Sequence, residues 1–477
     1  MAGHVAGPLH SAPSPVWLPY PEDVNALLPQ LWSRNITRGT DGALRVAGHS
    51  VNDLARDYGT PTFVLDVDDF RSRAREFRTA FEKAFAAAGT QARSYYAGKA
   101  FLCTQVARWA LQDGLGLDVC SLGELLVAQR AGVPGERMTM HGNNKSPQEL
   151  SAALDHGVNQ IVVDSLDEIG RLSALAAQKG VTAPVVIRVT VGVEAHTHDF
   201  IATAHEDQKF GFSLASGAAR EAAERVHRDP HLNLLGLHSH IGSQIFDASA
   251  FEVAAARLMG LRAELRRDLG AGCEELILGG GFGISYTSQD TPQPVDELAA
   301  GMARAVVRAC EDLGDPLPRT VSFEPGRSLI GPAMFTLYTV GTVKPVETGH
   351  GERLYVAVDG GMSDNPRTAL YDADYSCTVA GRASGAEPRV TRVVGMHCES
   401  GDIIVRDEYA PADIAAGDLL AVPGTGAYCR PLASNYNHVP RPGVLAVTAD
   451  AIGWIVRPET HEDLLSTDVA ESWNERG

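Results

Sequence analysis

Basic residues are scarce beside acidic ones in this 477-residue chain: 41 Lys and Arg stand against 59 Asp and Glu, a formal charge of −18. Such a surface repels phosphate backbones and anionic lipid, so neither nucleic acid nor a membrane is an expected partner. Long apolar runs are missing too. No stretch approaches the ~18 consecutive apolar residues of a membrane span. The opening MAGHVAGPLH has neither the basic nor the apolar region of a secretory leader, and the expected compartment is the cytoplasm. Paired cysteines are also lacking. Cys103, Cys120, Cys273, Cys310, Cys377, Cys398 and Cys429 are odd in number, irregularly spaced and without a C-x-x-C pair, which argues against a disulfide framework and a structural zinc site. There is no internal repeat and no low-complexity block.

What is present is the balance of a globular chain, 44% apolar and 21% charged, long enough for two or three domains. Between residues 92 and 330, short apolar runs alternate with longer amphipathic stretches. The runs at 92–97, 116–120, 137–141, 160–164, 185–190, 234–240, 275–280 and 321–325 read as strands. Stretches such as SLDEIGRLSALAAQKG and AFEVAAARLMGLRAELRRDLG read as helices, with apolar residues three and four apart and a closing glycine. Eight strand–helix units in about 240 residues is the arithmetic of a (β/α)8 TIM barrel; an open doubly wound sheet is the other arrangement the pattern allows. Past residue 332 the texture turns β-rich. The expected organisation is a loose tail over 1–16, a segment over 17–62 contributing to a β domain, a barrel over 63–332, and a C-terminal, mainly antiparallel β domain over 333–477.

In a barrel of this kind chemistry sits on the loops after the strands. The first strand is followed by Gly98 and Lys99, the second carries Asp118, and the third ends in H-G-N-N-K. The sixth ends in H-S-H-I-G-S-Q, the seventh in G-G-G-F-G and the eighth in E-P-G-R-S. Packing does not require these clusters, and they point to an enzyme. Gly279, Gly280, Gly281 and Gly283, with Gly326 beside Arg327, suit an anion, because glycine lets backbone N–H groups approach a ligand; tight turns needing φ > 0 are the plainer reading of either cluster alone. A lysine at a strand end can form a Schiff base with a carbonyl. Lys99, a phosphate loop and a carboxylate, Glu324, able to face a pyridinium nitrogen together fit pyridoxal 5'-phosphate. His240 offers a flat face to its ring, with His238 deeper on the same side of the strand.

The segments Y-Y-A-G-K (95–99), D-V-C-S-L-G-E (118–124), H-G-N-N-K-S (141–146), H-S-H-I-G-S-Q (238–244), G-G-G-F-G (279–283), E-P-G-R (324–327), M-S-D-N-P-R (362–367), C-E-S-G-D (398–402) and G-A-Y (426–428) together resemble the diaminopimelate decarboxylase family over roughly residues 45 to 450, in family order. The resemblance implies the alanine racemase-like pairing of barrel and β domain, and a pyridoxal-phosphate enzyme that makes lysine and carbon dioxide from meso-2,6-diaminopimelate. It implies Lys99 as the covalent anchor, Glu324 on the pyridine nitrogen, His240 stacked on the ring, and Asp118, Ser243, Gly280, Gly281, Gly326, Arg327 and Tyr428 around the cofactor. For the substrate it implies Arg327, Arg367, Tyr371 and Tyr428, with Glu399 on the distal ammonium. Cys398 would be the proton donor, reaching the active site of the partner subunit in a homodimer. After G-A-Y the family varies, and here Cys429-Arg430-Pro431 intervenes before S-N-Y-N at 434–437.

Three other readings compete. A decarboxylase of ornithine, arginine or carboxynorspermidine has less use for Arg367 with Glu399. An alanine-type racemase puts an arginine, not a glutamate, on the pyridine nitrogen. A non-catalytic cofactor-binding protein has no use for Cys398. The His-rich stretch holding His196, His198, His205, Glu206 and Asp207 is expected to be a polar loop rather than a metal site.

Overall fold

The computed structural model describes residues 15, 17–192, 209–348 and 351–469. The His-rich stretch therefore lies outside the described residues. Two compact units result, one from Met1–Phe70, Ser285–Thr291 and Ile330–Gly477, the other from Arg71–Ile284 and Pro292–Leu329.

In the second of these, eight parallel strands close on themselves: Gln91–Ala97, Gly116–Val119, Met138–Met140, Gln160–Val163, Ala183–Thr190, Leu232–His238, Glu275–Ile277 and Thr320–Phe323. Closure runs from the eighth strand to the first, Ser322 opposite Arg93, and the fourth pairs the fifth, Val162 opposite Val186. This is the expected barrel, and the open sheet is excluded. Every run read as a barrel strand is one. The intervening helices start and stop where side-chain chemistry dictates. Ser165 accepts from the Glu168 N–H and opens Leu166–Lys179, which Gly180 ends in the left-handed conformation. Ser146 and Glu149 form a reciprocal capping box at the start of Pro147–Asp155.

The other unit is a mixed, mostly antiparallel sheet in the order Ile403–Pro411, Pro388–Val394, Gly351–Val358, Met334–Thr348, Thr62–Asp66, Val444–Val447, Ile452–Val456. Leu419–Pro423 also pairs with Met334–Thr348 and carries Thr378–Val379 on its other side. The strand Thr62–Asp66 lies at the expected start of the barrel, at residue 63, yet it hydrogen-bonds between Met334–Thr348 and Val444–Val447. All five of its residues are buried, as a central strand requires. A small sheet, Ile36–Arg38, Leu44–Val46 and His49–Ser50, closes the core formed by Trp32, Leu44, Val64, Phe335, Leu337 and Leu445. No helix among the described residues is long and apolar enough to cross a membrane.

Candidate active site

The barrel strands deliver their terminal polar residues to one end because all eight run parallel, so their C-terminal ends open on the same face. Glu324 immediately follows Phe323, the last residue of the eighth strand. Glu324 is buried, and its two oxygens lie 2.7 Å from His141 Nε2 and 3.3 Å from His238 Nε2. The imidazoles meet edge to face, with ring centroids 4.8 Å apart. Burial pushes the Glu324 carboxyl up, but hydrogen bonds and charge from the two histidines outweigh it and hold it well below the usual carboxylate range. Burial drives the His238 pKa down to about 4 even though the Glu324 carboxylate beside it pulls the other way. His141 Nε2 also lies 3.7 Å from Asp118 Oδ1; burial pushes the Asp118 carboxyl up to about 6 against the pull of His141. His141, His238 and Glu324 have donor atoms within 4.8 Å of one another, a spacing a divalent ion also uses, but here both rings are hydrogen-bonded to the one carboxylate.

Lys99 sits on the 3-10 turn Gly98–Ala100 that follows the first strand. The turn is tightly fitted. A Cβ on Gly98 would lie 3.0 Å from Asp118 O, and one on Gly326 would lie 3.0 Å from Ala97 Cβ and 3.1 Å from Ala100 Cβ. The Lys99 charge bears on Asp118 and on His240, whose pKa is held well below normal first by burial and then by Lys99. Arg327 Nη2 donates to Ser243 Oγ at 2.7 Å. Gly281 has φ +104, and a Cβ there would lie 2.4 Å from Gly242 O; one on Gly280 would lie 2.3 Å from Glu324 O. The glycines thus serve close backbone packing of the strand-end loops, and that packing gathers the sixth, seventh and eighth loops.

These residues fit pyridoxal phosphate. A buried carboxylate kept ionised suits a pyridinium, Arg327 and Ser243 suit a phosphate, and His238 Nδ1 and Ser239 Oγ are buried with no hydrogen-bond partner among the described residues. The sequence alone marks the 141–146 segment but assigns His141 no role. Its place at the end of the third strand, alongside five other polar strand ends, was the available signal.

The remaining expected site residues belong to the other unit. Arg367 is buried, and no carboxylate lies within ion-pair distance of it among the described residues. Its Nη1 donates to Tyr375 Oη at 2.6 Å, and its guanidinium carbon lies 4.8 Å from the Tyr286 ring centroid and 5.7 Å from that of Tyr375. The sequence reading coupled Arg367 with Tyr371, which is 63% exposed in the single chain. It missed Tyr286 and Tyr375. Tyr428 has φ +65 and is half-buried. Cys398 and Glu399 are exposed at the tip of a loop pinned from below by Asp402, which accepts from Met362 N at 2.6 Å and His397 N at 2.7 Å.

The turn leading to Arg367 carries a titratable anchor. Asp364 is buried, accepts from Gly361 N at 2.7 Å and from Tyr338 Oη, and burial raises its pKa from 3.8 to about 7. A group whose folded pKa is raised stabilises most below its unfolded pKa, and that stability is lost as pH climbs towards 7. This one group removes up to about 4 kcal/mol over that window. Asp364→Asn keeps the shape without the charge, so its melting temperature should fall less than the wild type's between pH 5 and pH 8 in calorimetry; equal falls would refute the assignment.

Residues 67–331 match the family model described as pyridoxal-dependent decarboxylase, pyridoxal binding domain. The diaminopimelate decarboxylase of Mycobacterium tuberculosis is 54% identical over 448 residues, covering 93% of this chain and 98% of that protein. That of Bacillus subtilis is 45% identical over 428 residues, covering 90% and 95%. Among solved structures, diaminopimelate decarboxylase from M. jannaschii in complex with L-lysine superposes with a TM-score of 0.84 at 29% identity, covering 92% of this chain and 98% of that one.

Proposed function

The chain belongs to the diaminopimelate decarboxylase family, and from that premise we propose how its residues convert meso-2,6-diaminopimelate to L-lysine and carbon dioxide, the last step of lysine synthesis. The enzyme is a pyridoxal-phosphate-dependent carboxy-lyase. Bound pyridoxal phosphate supplies an electron sink for the pair left behind when a carboxylate departs as carbon dioxide.

Lys99 would hold the cofactor covalently, and the strand-end loops with Gly280, Gly281, Gly326, Arg327 and Ser243 would hold its phosphate. Asp118 and Tyr428 would border it, and His240 would cover one ring face. The observation that carries this reading is Glu324. Two imidazoles lie against its oxygens in a buried pocket and hold its pKa well below the usual carboxylate range, so with the cofactor bound it would face the pyridine nitrogen as a carboxylate and would keep that nitrogen protonated. An alanine-type racemase has no use for that charge.

Arg367 supports diaminopimelate over a simple diamine precursor. A buried guanidinium with no carboxylate partner among the described residues would suit the substrate's distal carboxylate, for which Arg327, Tyr371 and Tyr428 would be further ligands and Glu399 would accept from the distal ammonium. Cys398 would protonate the carbon that loses carbon dioxide. Its exposure, with Leu370, Tyr371 and Met396 at 62%, 63% and 56% exposed in the single chain, supports a homodimer in which a second copy would cover these residues. All seven cysteines are free, which supports the cytoplasm as the compartment.

The test is direct. Purified protein with pyridoxal phosphate is offered meso-diaminopimelate, ornithine, arginine and carboxynorspermidine, and carbon dioxide and the chiral product are measured. Release from diaminopimelate with L-lysine as product is expected; faster release from any of the others overturns the substrate. Losing one fork of a carboxylate clamp costs about 2–5 kcal/mol, so Arg367→Ala should lower kcat/KM for diaminopimelate roughly 30-fold or more without comparable loss of cofactor. Normal turnover by that variant would remove Arg367 from the pocket.

A further inference from the structure

The barrel holds one more charge pair sealed from water, and it touches none of the atoms assigned above. The Lys145 and Glu168 side chains are each 1% exposed, with Nζ 2.7 Å from Glu168 Oε1. The same ammonium donates to Gly142 O at 2.6 Å and Val162 O at 2.7 Å. Burial lowers the Lys145 pKa and raises that of Glu168, the direction expected when two charges leave water. Apolar residues of similar volume often serve stability as well as such a pair does, so stability alone is a poor reason for this one.

Its geometry supplies a better one. The three contacts of Nζ tie the loop after the third strand to the end of the fourth strand and to the first turn of the helix Leu166–Lys179. Glu168 is fixed in turn, since its Oε2 accepts from Asp164 N at 3.0 Å and its N–H donates to Ser165 Oγ. The carbonyl that Lys145 grips belongs to Gly142, and the residue before it is His141, whose ring lies 2.7 Å from Glu324. Gly142 has φ +122, a conformation L side chains rarely adopt, and a Cβ there would lie 3.3 Å from Lys145 Cγ.

We propose that Lys145 is a positioning residue of the cofactor site, clamping loop 141–146 so that His141 meets the Glu324 carboxylate. This rests on the reading that Glu324 faces the pyridine nitrogen.

The experiment measures affinity of the cofactor-stripped protein for pyridoxal phosphate by fluorescence titration, together with melting temperature. Lys145→Met/Glu168→Met removes both charges and leaves no lone buried ion. It should melt near the wild type but bind the cofactor about tenfold more weakly, the scale of one charge-assisted hydrogen bond. His141→Asn should weaken binding by a similar factor. Combined, the three substitutions should still weaken it only about tenfold, because both routes break one interaction. A hundredfold loss, or unchanged affinity in the double variant, overturns the proposal. Glu168→Gln decides the matter if the double variant does not fold. It keeps both carbonyl contacts of Lys145, so it should lose melting temperature while binding within about twofold of the wild type; a tenfold loss there would make general destabilisation the cause. A wild-type protein that does not bind pyridoxal phosphate would instead overturn the function proposed above.

Discussion

Lys99→Ala is expected to abolish turnover, by roughly a thousandfold or more, the scale seen when a covalent catalyst is deleted. The wild-type protein should be yellow with bound cofactor. Borohydride reduction and peptide mapping should place a pyridoxyl group on Lys99. The mapping is discriminating because the chain has only six lysines, at 83, 99, 145, 179, 209 and 344. One rival in the barrel is Lys145, whose ammonium is held by Glu168 and two carbonyls. Label on any other lysine would sink the assignment, and the role of the Gly98–Ala100 turn with it.

Cys398→Ser is expected to retain the cofactor and bind substrate yet lose most of the rate, about 10²–10⁴-fold for a misplaced or missing general acid. A free thiol titrates near pH 8.5, within reach of a carbanion at neutral pH, and a serine hydroxyl does not. The loop itself should survive, because Asp402 and His397 pin its base and neither contact involves the thiol. Mixing makes the test sharper. If Cys398 serves the partner's site, inactive Lys99→Ala and Cys398→Ser chains reassembled together form hybrids with one intact site of two. Random pairing makes half the dimers hybrids, so about a quarter of wild-type activity should return. No recovery, with hybrids demonstrated, would place Cys398 in its own chain's site or outside any site.

The barrel was legible because burial on both faces forces each strand into a short apolar run, while helices show a 3.6-residue period and closing glycines such as Gly180. The polar strand ends stood out against that background, which is why Lys99, Asp118, His240 and Glu324 were found together. His141 was quoted and passed over because a histidine has many uses, and only its distance to Glu324 selects one. The tyrosines around Arg367 were illegible for another reason. Tyr286 follows the glycine loop and Tyr375 precedes a two-residue strand, so no local pattern connects them to residue 367. Thr62–Asp66 reads as a strand, but whether it joins the barrel or the mixed sheet depends on partners far along the chain.

That last strand imposes a schedule on biosynthesis. Thr62–Asp66 is among the first elements to leave the ribosome, yet its two neighbours begin at Met334 and Val444. At ~5–20 residues per second, a strand buried on both faces in the finished fold waits tens of seconds with both edges unpaired. Such an edge templates aggregation until it is covered. Nascent chains of this enzyme therefore depend on chaperone capacity more than the finished fold would suggest, and slow translation or stalling anywhere between Asp66 and Val444 prolongs the exposed state directly.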